Sequence, residues 1–114
     1  MDINIQQHHI DEAIKAYGRY VESTDKCCPV AKALKEVGYE KVRVFHDYIL
    51  FKEPGKKSKK KIRIAETPIS WWIRYFDNAY HPYDSLKIPA KERDEIRYAI
   101  GPETFTLDLR CEDL

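Results

Sequence analysis

The chain has 114 residues, of which 43% are hydrophobic and 34% charged, and its formal net charge is +1. This length suits a single domain with one core. No apolar run approaches the roughly 20 residues of a membrane span, the first residues lack the features of a signal peptide, and three cysteines do not make a secreted disulfide framework. We expect a cytoplasmic protein.

The first third of the chain predicts a strand and two helices. Ile3 and Ile5 alternate as in a short strand, and Gly18 is placed to end the helix that follows. A second helix has Pro29 at its first position and Gly38 just past its end. Apolar residues at helical spacing support both helices: Ile10, Ala13, Ile14 and Tyr17, then Val30, Ala33, Leu34 and Val37.

The middle of the chain predicts a three-stranded meander. Strands at about 42–45 and 48–53 are joined by a tight turn at His46 and Asp47, because the alternation of apolar residues slips there. The stretch "PGKKSKK" supplies a second turn, and a third strand follows with Ile62 and Ile64 facing inward.

The last third predicts helix, loop, helix and strand. Thr67 and Pro68 are a good cap and first-turn pair for a helix with Ile69, Trp72, Ile73 and Phe76 on its apolar face. An irregular loop with two prolines leads to a charge-rich helix, and Phe105, Leu107 and Leu109 alternate as a last strand. The prediction is a single α+β domain, 1–114, with a mostly antiparallel sheet of about five strands and two or three helices on one face.

A lysine-rich hairpin tip is the first candidate binding surface. Residues 52–63 contain seven basic residues and one acidic residue, a local charge of +6, so the rest of the chain carries −5. Such a tip attracts phosphates, and the next helix offers an aromatic and cationic flank for stacking. The alternative is a solvated tip that prevents edge-to-edge aggregation. The candidate residues are Lys56, Lys57, Lys59, Lys60 and Lys61 in the tip and Trp71, Arg74 and Tyr75 in the flank.

The loop "YHPYDSL" is the second candidate surface. Tyr80, His81 and Tyr83 are amphipathic side chains of the kind that contact a partner. They can equally fold back over the core, as side chains of long loops in small domains do.

The adjacent thiols of Cys27 and Cys28 have three interpretations. A thiolate at the start of a helix could be nucleophilic, the pair could join a histidine or Cys111 around a metal, or the thiols could be buried structural groups. The structural interpretation is favoured because no base or CxxC spacing accompanies the pair. Of His8 and His9, one should pack or cap a helix and the other should meet solvent.

Motifs of catalysis are missing from the sequence. The glycines stand alone at 18, 38, 55 and 101, so the chain has no phosphate-cradling loop, and it has no HExxH or nucleophile-elbow motif. We therefore predict a non-enzymatic protein with no catalytic residues, no cofactor and no metal. An uneven charge distribution and short strands would permit a homodimer.

Several short signatures occur in one order: "HHI", "CPVAKAL", "IRYFDN" and "ETFTLDL". Together they resemble a group of small uncharacterised bacteriophage and prophage proteins. The resemblance covers most of 1–78 and 103–110 and departs from that group at about 79–102. It implies a phage origin and a host-directed or counter-defence role, exercised by binding a host protein or by sequestering a nucleotide-like signal. The alternative is a nucleic-acid-binding module that uses the lysine tip and the aromatic flank.

Overall fold

A computed structural model describes residues 1–19, 24–107 and 111–113. The helices are α1 (Gln7–Arg19), α2 (Thr24–Cys27), α3 (Pro29–Glu36), α4 (Pro68–Tyr80) and α5 (Ala90–Ala99), with a 3₁₀ helix at Asp84–Lys87. The strands are β1 (Asp2–Ile5), β2 (Glu40–Val44), β3 (Tyr48–Lys52), β4 (Lys59–Arg63), β5 (Glu103–Thr106) and β6 (Cys111–Asp113). None of the helices in these ranges is long and apolar enough to cross a membrane.

The strands form two antiparallel sheets. Four of them make a sheet in the order β2-β3-β4-β6, while β1 and β5 pair separately. The α+β class is thus confirmed, but β1 does not join the meander because it pairs with β5, with Ile3 opposite Phe105. The predicted last strand ends earlier, at Thr106, and its Leu109 lies outside the described residues.

One apolar core lies between the inner face of the four-stranded sheet and the helices. The strands contribute Val42, Val44, Ile49, Phe51 and Ile62, all buried. Helix α4 contributes Ile69, Trp72, Ile73 and Phe76, the residues that the helical spacing predicted. The outer face of this sheet carries the alternate residues of each strand, which are charged in β4 and include Tyr48 and Leu50 in β3.

The predicted start and turn signals are observed. The Thr67 hydroxyl accepts a hydrogen bond from the Ser70 amide at 3.4 Å and so caps α4, with Pro68 in its first turn. The Phe45 amide donates to the Tyr48 carbonyl at 2.9 Å and closes the turn that contains His46 and Asp47.

Helix α1 continues through Gly18 to Arg19, so the prediction that Gly18 ends this helix is wrong. Its φ is not positive, so it can adopt helical dihedrals.

Replacing Gly38 by alanine should destabilise the protein by about 1–3 kcal/mol, because a side chain is strained in the left-handed region. Gly38 follows α3 with a φ of +103°, and a Cβ there would meet the Pro54 Cγ at 3.3 Å. Urea unfolding monitored by circular dichroism measures the change. The control is Gly101→Ala, where no atom lies within 4 Å of the added Cβ; equal losses in both variants would contradict the prediction.

Candidate functional site

A basic groove lies at the β2 edge of the four-stranded sheet. Its volume is about 390 Å³, and its floor is formed by Val42, Leu50 and Phe51. Five cationic residues line it: Lys26, Lys35, Lys41, Arg43 and Lys59. Within the part of the chain that the structure describes, no acidic residue lines the groove. The groove therefore concentrates positive potential in a concave site.

A bulge in β2 positions part of this groove. Glu40 lies opposite Lys52 and Arg43 lies opposite Leu50, so β2 has one residue more than β3 between these pairs. Lys41 takes up the extra length with a φ of +50°, a left-handed conformation. The remaining lysines come from helices, and Lys35 Nζ donates a hydrogen bond to the Lys26 carbonyl, which holds the two side by side.

The outer face of the sheet continues from the groove and carries aromatic rings beside cations. Leu50 lies opposite Lys61 and Tyr48 lies opposite Arg63, and directly opposed residues share a face. The Lys61 Nζ is 4.4 Å from the centre of the Tyr48 ring. The rings of Tyr48 and Phe45 are 4.7 Å apart. Flat rings flanked by cations are what a phosphorylated nucleobase requires of a binding surface.

At its other end this face reaches the start of α4. A depression of about 540 Å³ is lined there by Tyr48, Arg63, Trp71 and Arg74, together with acidic and small residues. Arg74 Nη2 donates to Asp47 at 3.0 Å, and Arg63 Nε donates to a Glu112 carboxylate at 3.1 Å. These ion pairs offset the charge of both arginines. At the groove end Asp25 likewise offsets Arg43 at 2.6 Å, but the four lysines that line the groove form no ion pair within the described residues, so positive potential is higher there.

The lysine tip and the flank of α4 lie on one face but at opposite ends of β4. Lys59 is at the groove end of the strand and Arg63 is at the Trp71 end, four residues or roughly 13 Å away. Lys56 and Lys57 are exposed in the turn before β4. Lys60 points to the opposite face, where its Nζ lies 3.5 Å from a Glu53 carboxylate. The tip thus contributes Lys59 and Lys61 to the outer face and leaves Lys60 out.

The remaining predicted side chains lie away from this face. Tyr75 is 58% exposed and lines a separate groove between α4 and α5. Tyr80 packs on Phe76 and lies under the Arg97 guanidinium. His81 folds back, because its Nδ1 accepts hydrogen bonds from the amides of Tyr83 and Asp84. Tyr83 is exposed.

Six residues of the groove and the outer face were not predicted from the sequence: Lys26, Lys35, Lys41, Arg43, Tyr48 and Phe45. Lys26 and Lys35 are brought to the groove by the packing of α2 and α3, for which the local sequence has no signal. Arg43 and Tyr48 could have been found, since inward-facing Val42, Val44 and Ile49 place their neighbours on the outer face. The bulge at Lys41 had no signal in the sequence.

The two adjacent thiols are buried. Cys28 is the N-cap of α3, as predicted, and is 3% exposed. Burial raises the pKa of Cys28 to about 12, although the amides of Val30 and Ala31 oppose the shift. Burial also raises the pKa of Cys27. Both groups are therefore thiols at neutral pH, and the structural interpretation is favoured over a nucleophile.

The histidine pair near α1 also fits its prediction. The His9 ring is buried and its Nδ1 accepts a hydrogen bond from the Gln6 amide at 2.9 Å, which caps the helix. His8 is exposed and lies 3.1 Å from a Glu36 carboxylate oxygen.

No family model, curated protein or solved structure matches this chain. Geometry and charge therefore carry the functional inference.

Proposed function

We propose that the protein is a non-enzymatic binding protein whose ligand combines phosphate groups with nucleobases, either in a nucleotide-like signal molecule or in a short single strand. The observation that supports this most strongly is the basic groove, whose described lining has five cationic residues and no acidic residue. Of the five, Arg43 is paired with Asp25, which lies outside the lining. Phosphate-bearing ligands gain affinity from such a site by releasing counterions.

The outer face supplies the second half of this recognition. Tyr48 and Phe45 lie toward the Trp71 end of this face, with Lys61 and Arg43 against their rings at 4.4 and 5.2 Å. Arg43 also lines the groove and so connects the groove to the aromatic pair. Stacking on an aromatic ring is tolerant of base identity and contributes about 1–3 kcal/mol per base. We therefore propose that phosphates lie in the groove and that one or two bases stack on this aromatic pair.

A phage-type, host-directed or counter-defence role in the cytoplasm fits this binding activity. The order of the sequence signatures "HHI", "CPVAKAL", "IRYFDN" and "ETFTLDL" supports it. A host protein is the second candidate partner, favoured by Trp71 and Tyr75, which are 60% and 58% exposed on one helix.

Fluorescence anisotropy tests the proposal with labelled cyclic dinucleotides and with oligothymidylate strands of rising length. Binding of a strand should weaken steeply with salt, with a slope of about −2 to −3 in a plot of log K against log salt, because each of roughly three or four neutralised phosphates contributes about −0.7. A cyclic dinucleotide has two phosphates, so its slope should be no steeper than about −1.4. Affinity that rises with strand length indicates a strand as ligand, whereas saturation by a dinucleotide indicates a signal molecule. Absence of binding by every probe at about 50 mM salt would refute the proposal and leave a protein partner.

A further inference from the structure

A second cavity, lined by the end of β2 and by residues of α1, α2 and α4, has the opposite charge. Its volume is about 390 Å³, and His46 and His81 are among the residues that line it. Three aspartates, Asp25, Asp77 and Asp84, face it, and its lining in the described ranges includes no lysine or arginine. We refer to it as the acidic cavity. Its composition favours a cation.

Three ligand atoms converge in the acidic cavity. His46 Nε2 and one carboxylate oxygen each of Asp77 and Asp84 all lie within 4.8 Å of one another. Three atoms at such separations lie within roughly 2.8 Å of a common point, whereas metal–nitrogen and metal–oxygen bonds of zinc are about 2.0–2.2 Å long. Shifts of less than about 1 Å would therefore complete a half-shell of ligands, and water can supply the rest.

The charge of this cluster is only partly compensated from within. Asp77 is 7% exposed, and a buried carboxylate is costly unless a cation or strong hydrogen bonds compensate it. His46 Nε2 donates a hydrogen bond to Asp77 Oδ2 at 2.7 Å, which offsets part of the Asp77 charge. The Asp84 carboxylate lies within 4.8 Å of both atoms and adds a second negative charge. Arg43 compensates the third aspartate of the cavity, Asp25, at 2.6 Å. Arg74 pairs at 3.0 Å with Asp47, which does not line the cavity.

Each of the three ligands is held by a neighbour. The Tyr17 hydroxyl donates to Asp77 Oδ1 at 2.9 Å and leaves Oδ2 facing His46. The Ser70 hydroxyl donates to the His46 carbonyl at 2.6 Å, and His81 Nδ1 accepts from the Asp84 amide at 3.1 Å. Such supporting contacts orient metal ligands and preserve affinity.

We propose that His46, Asp77 and Asp84 bind a divalent first-row metal ion, with Zn²⁺ or Mn²⁺ as the class that suits one imidazole and two carboxylates. The ion takes the place of the His46 Nε2 proton. That proton is exchanged through solvent to Nδ1, for which the described residues supply no hydrogen-bond partner, so the imidazole stays neutral. Its Nε2 and one oxygen of each carboxylate become ligands. Asp77 binds through Oδ2 and keeps its hydrogen bond from Tyr17. Mg²⁺ and Ca²⁺, which prefer oxygen ligands only, should bind more weakly.

The cluster of His8, His9 and Glu36 has ligand atoms equally close together, but both ring nitrogens of its buried histidine, His9, are already engaged. Because the His9 Nδ1 accepts the hydrogen bond of the Gln6 amide, its Nε2 carries the proton and donates to Glu36. A metal at His9 would have to displace that proton and create an imidazolate. This cluster is therefore the internal control.

Titration of the full chain with Co²⁺, followed by visible absorption, and competition by Zn²⁺, Mn²⁺ and Mg²⁺ test the proposal. We expect one ion per chain, displaced by Zn²⁺ at least about 10-fold more readily than by Mg²⁺. Asp84→Asn and His46→Gln should each weaken binding at least about 10-fold. The Asp84 side chain is 36% exposed, so we expect Asp84→Asn to fold. Circular dichroism checks this.

Glu36→Gln should bind as the unaltered chain does. The proposal is overturned if no saturable site is found up to about 1 mM metal, or if Asp84→Asn and His46→Gln bind as tightly as the unaltered chain. Loss of binding in Glu36→Gln with retention in the other two would also overturn it, because the ion would then lie at the His8 cluster.

Discussion

Replacement of Lys26, Lys41 and Lys59 together by glutamine is expected to lower the affinity for phosphate-bearing nucleobase ligands by about 100-fold at physiological salt. All three side chains are exposed and line the basic groove. Neutral glutamine is a somewhat shorter polar side chain that removes three charges, so the salt slope should become less steep by about 2. Anisotropy titrations over a range of salt concentrations measure both effects.

A matched variant with Lys15, Lys87 and Lys91 replaced by glutamine separates local from overall charge. These lysines are also exposed, but they lie on α1, the 3₁₀ helix and α5, away from the groove. The net charge changes equally in both variants. Equal losses of affinity would mean that overall charge drives binding, and the groove would then not be the site.

Phe76→Ala is expected to cost about 3–5 kcal/mol of unfolding free energy, a large part of the total stability of a domain of this size. Phe76 is 1% exposed and lies at the centre of an aromatic cluster. Its ring stacks on Trp72 at 5.7 Å and meets the edge of Tyr17 at 5.5 Å. Removing it leaves a cavity that these rigid rings cannot fill. Denaturant unfolding curves measure the loss.

Tyr75→Ala is the companion variant on the same helix. Its side chain is 58% exposed, so the substitution should change the unfolding free energy by no more than about 0.5 kcal/mol. A loss for Tyr75→Ala equal to that for Phe76→Ala would contradict the division of α4 into a core face and an exposed face.

Helix α4 shows what the sequence could predict. The cap at Thr67 and the spacing of Ile69, Trp72, Ile73 and Phe76 determine both its start and its buried face, because these signals are local. The strands β2, β3 and β4 were predicted for the same reason. The separation of β1 from the main sheet depends on pairing with β5, about 100 residues away in the chain, and local patterns do not encode it.

The basic groove and the acidic cavity were harder to predict from the sequence than the helices and strands. Asp77 follows Ile73 by four residues and therefore stands on the apolar stripe of α4, a position that could have indicated a buried carboxylate. Its partners could not be predicted, because Tyr17 and His46 come from α1 and the β2–β3 turn. The basic groove likewise takes its cations from two helices and from the bulged strand β2. The predicted lysine tip contributes Lys59 to it.

The bulge in β2 also bears on self-association. A neighbouring chain can extend a sheet only along an edge strand with regular, unpaired backbone groups. The order β2-β3-β4-β6 places β2 at one edge, where the displaced Lys41 backbone interrupts that pattern and its charge repels an identical strand. At the other edge β6 has three residues. Growth of this sheet by addition of strands from further copies along its β2 edge is therefore disfavoured.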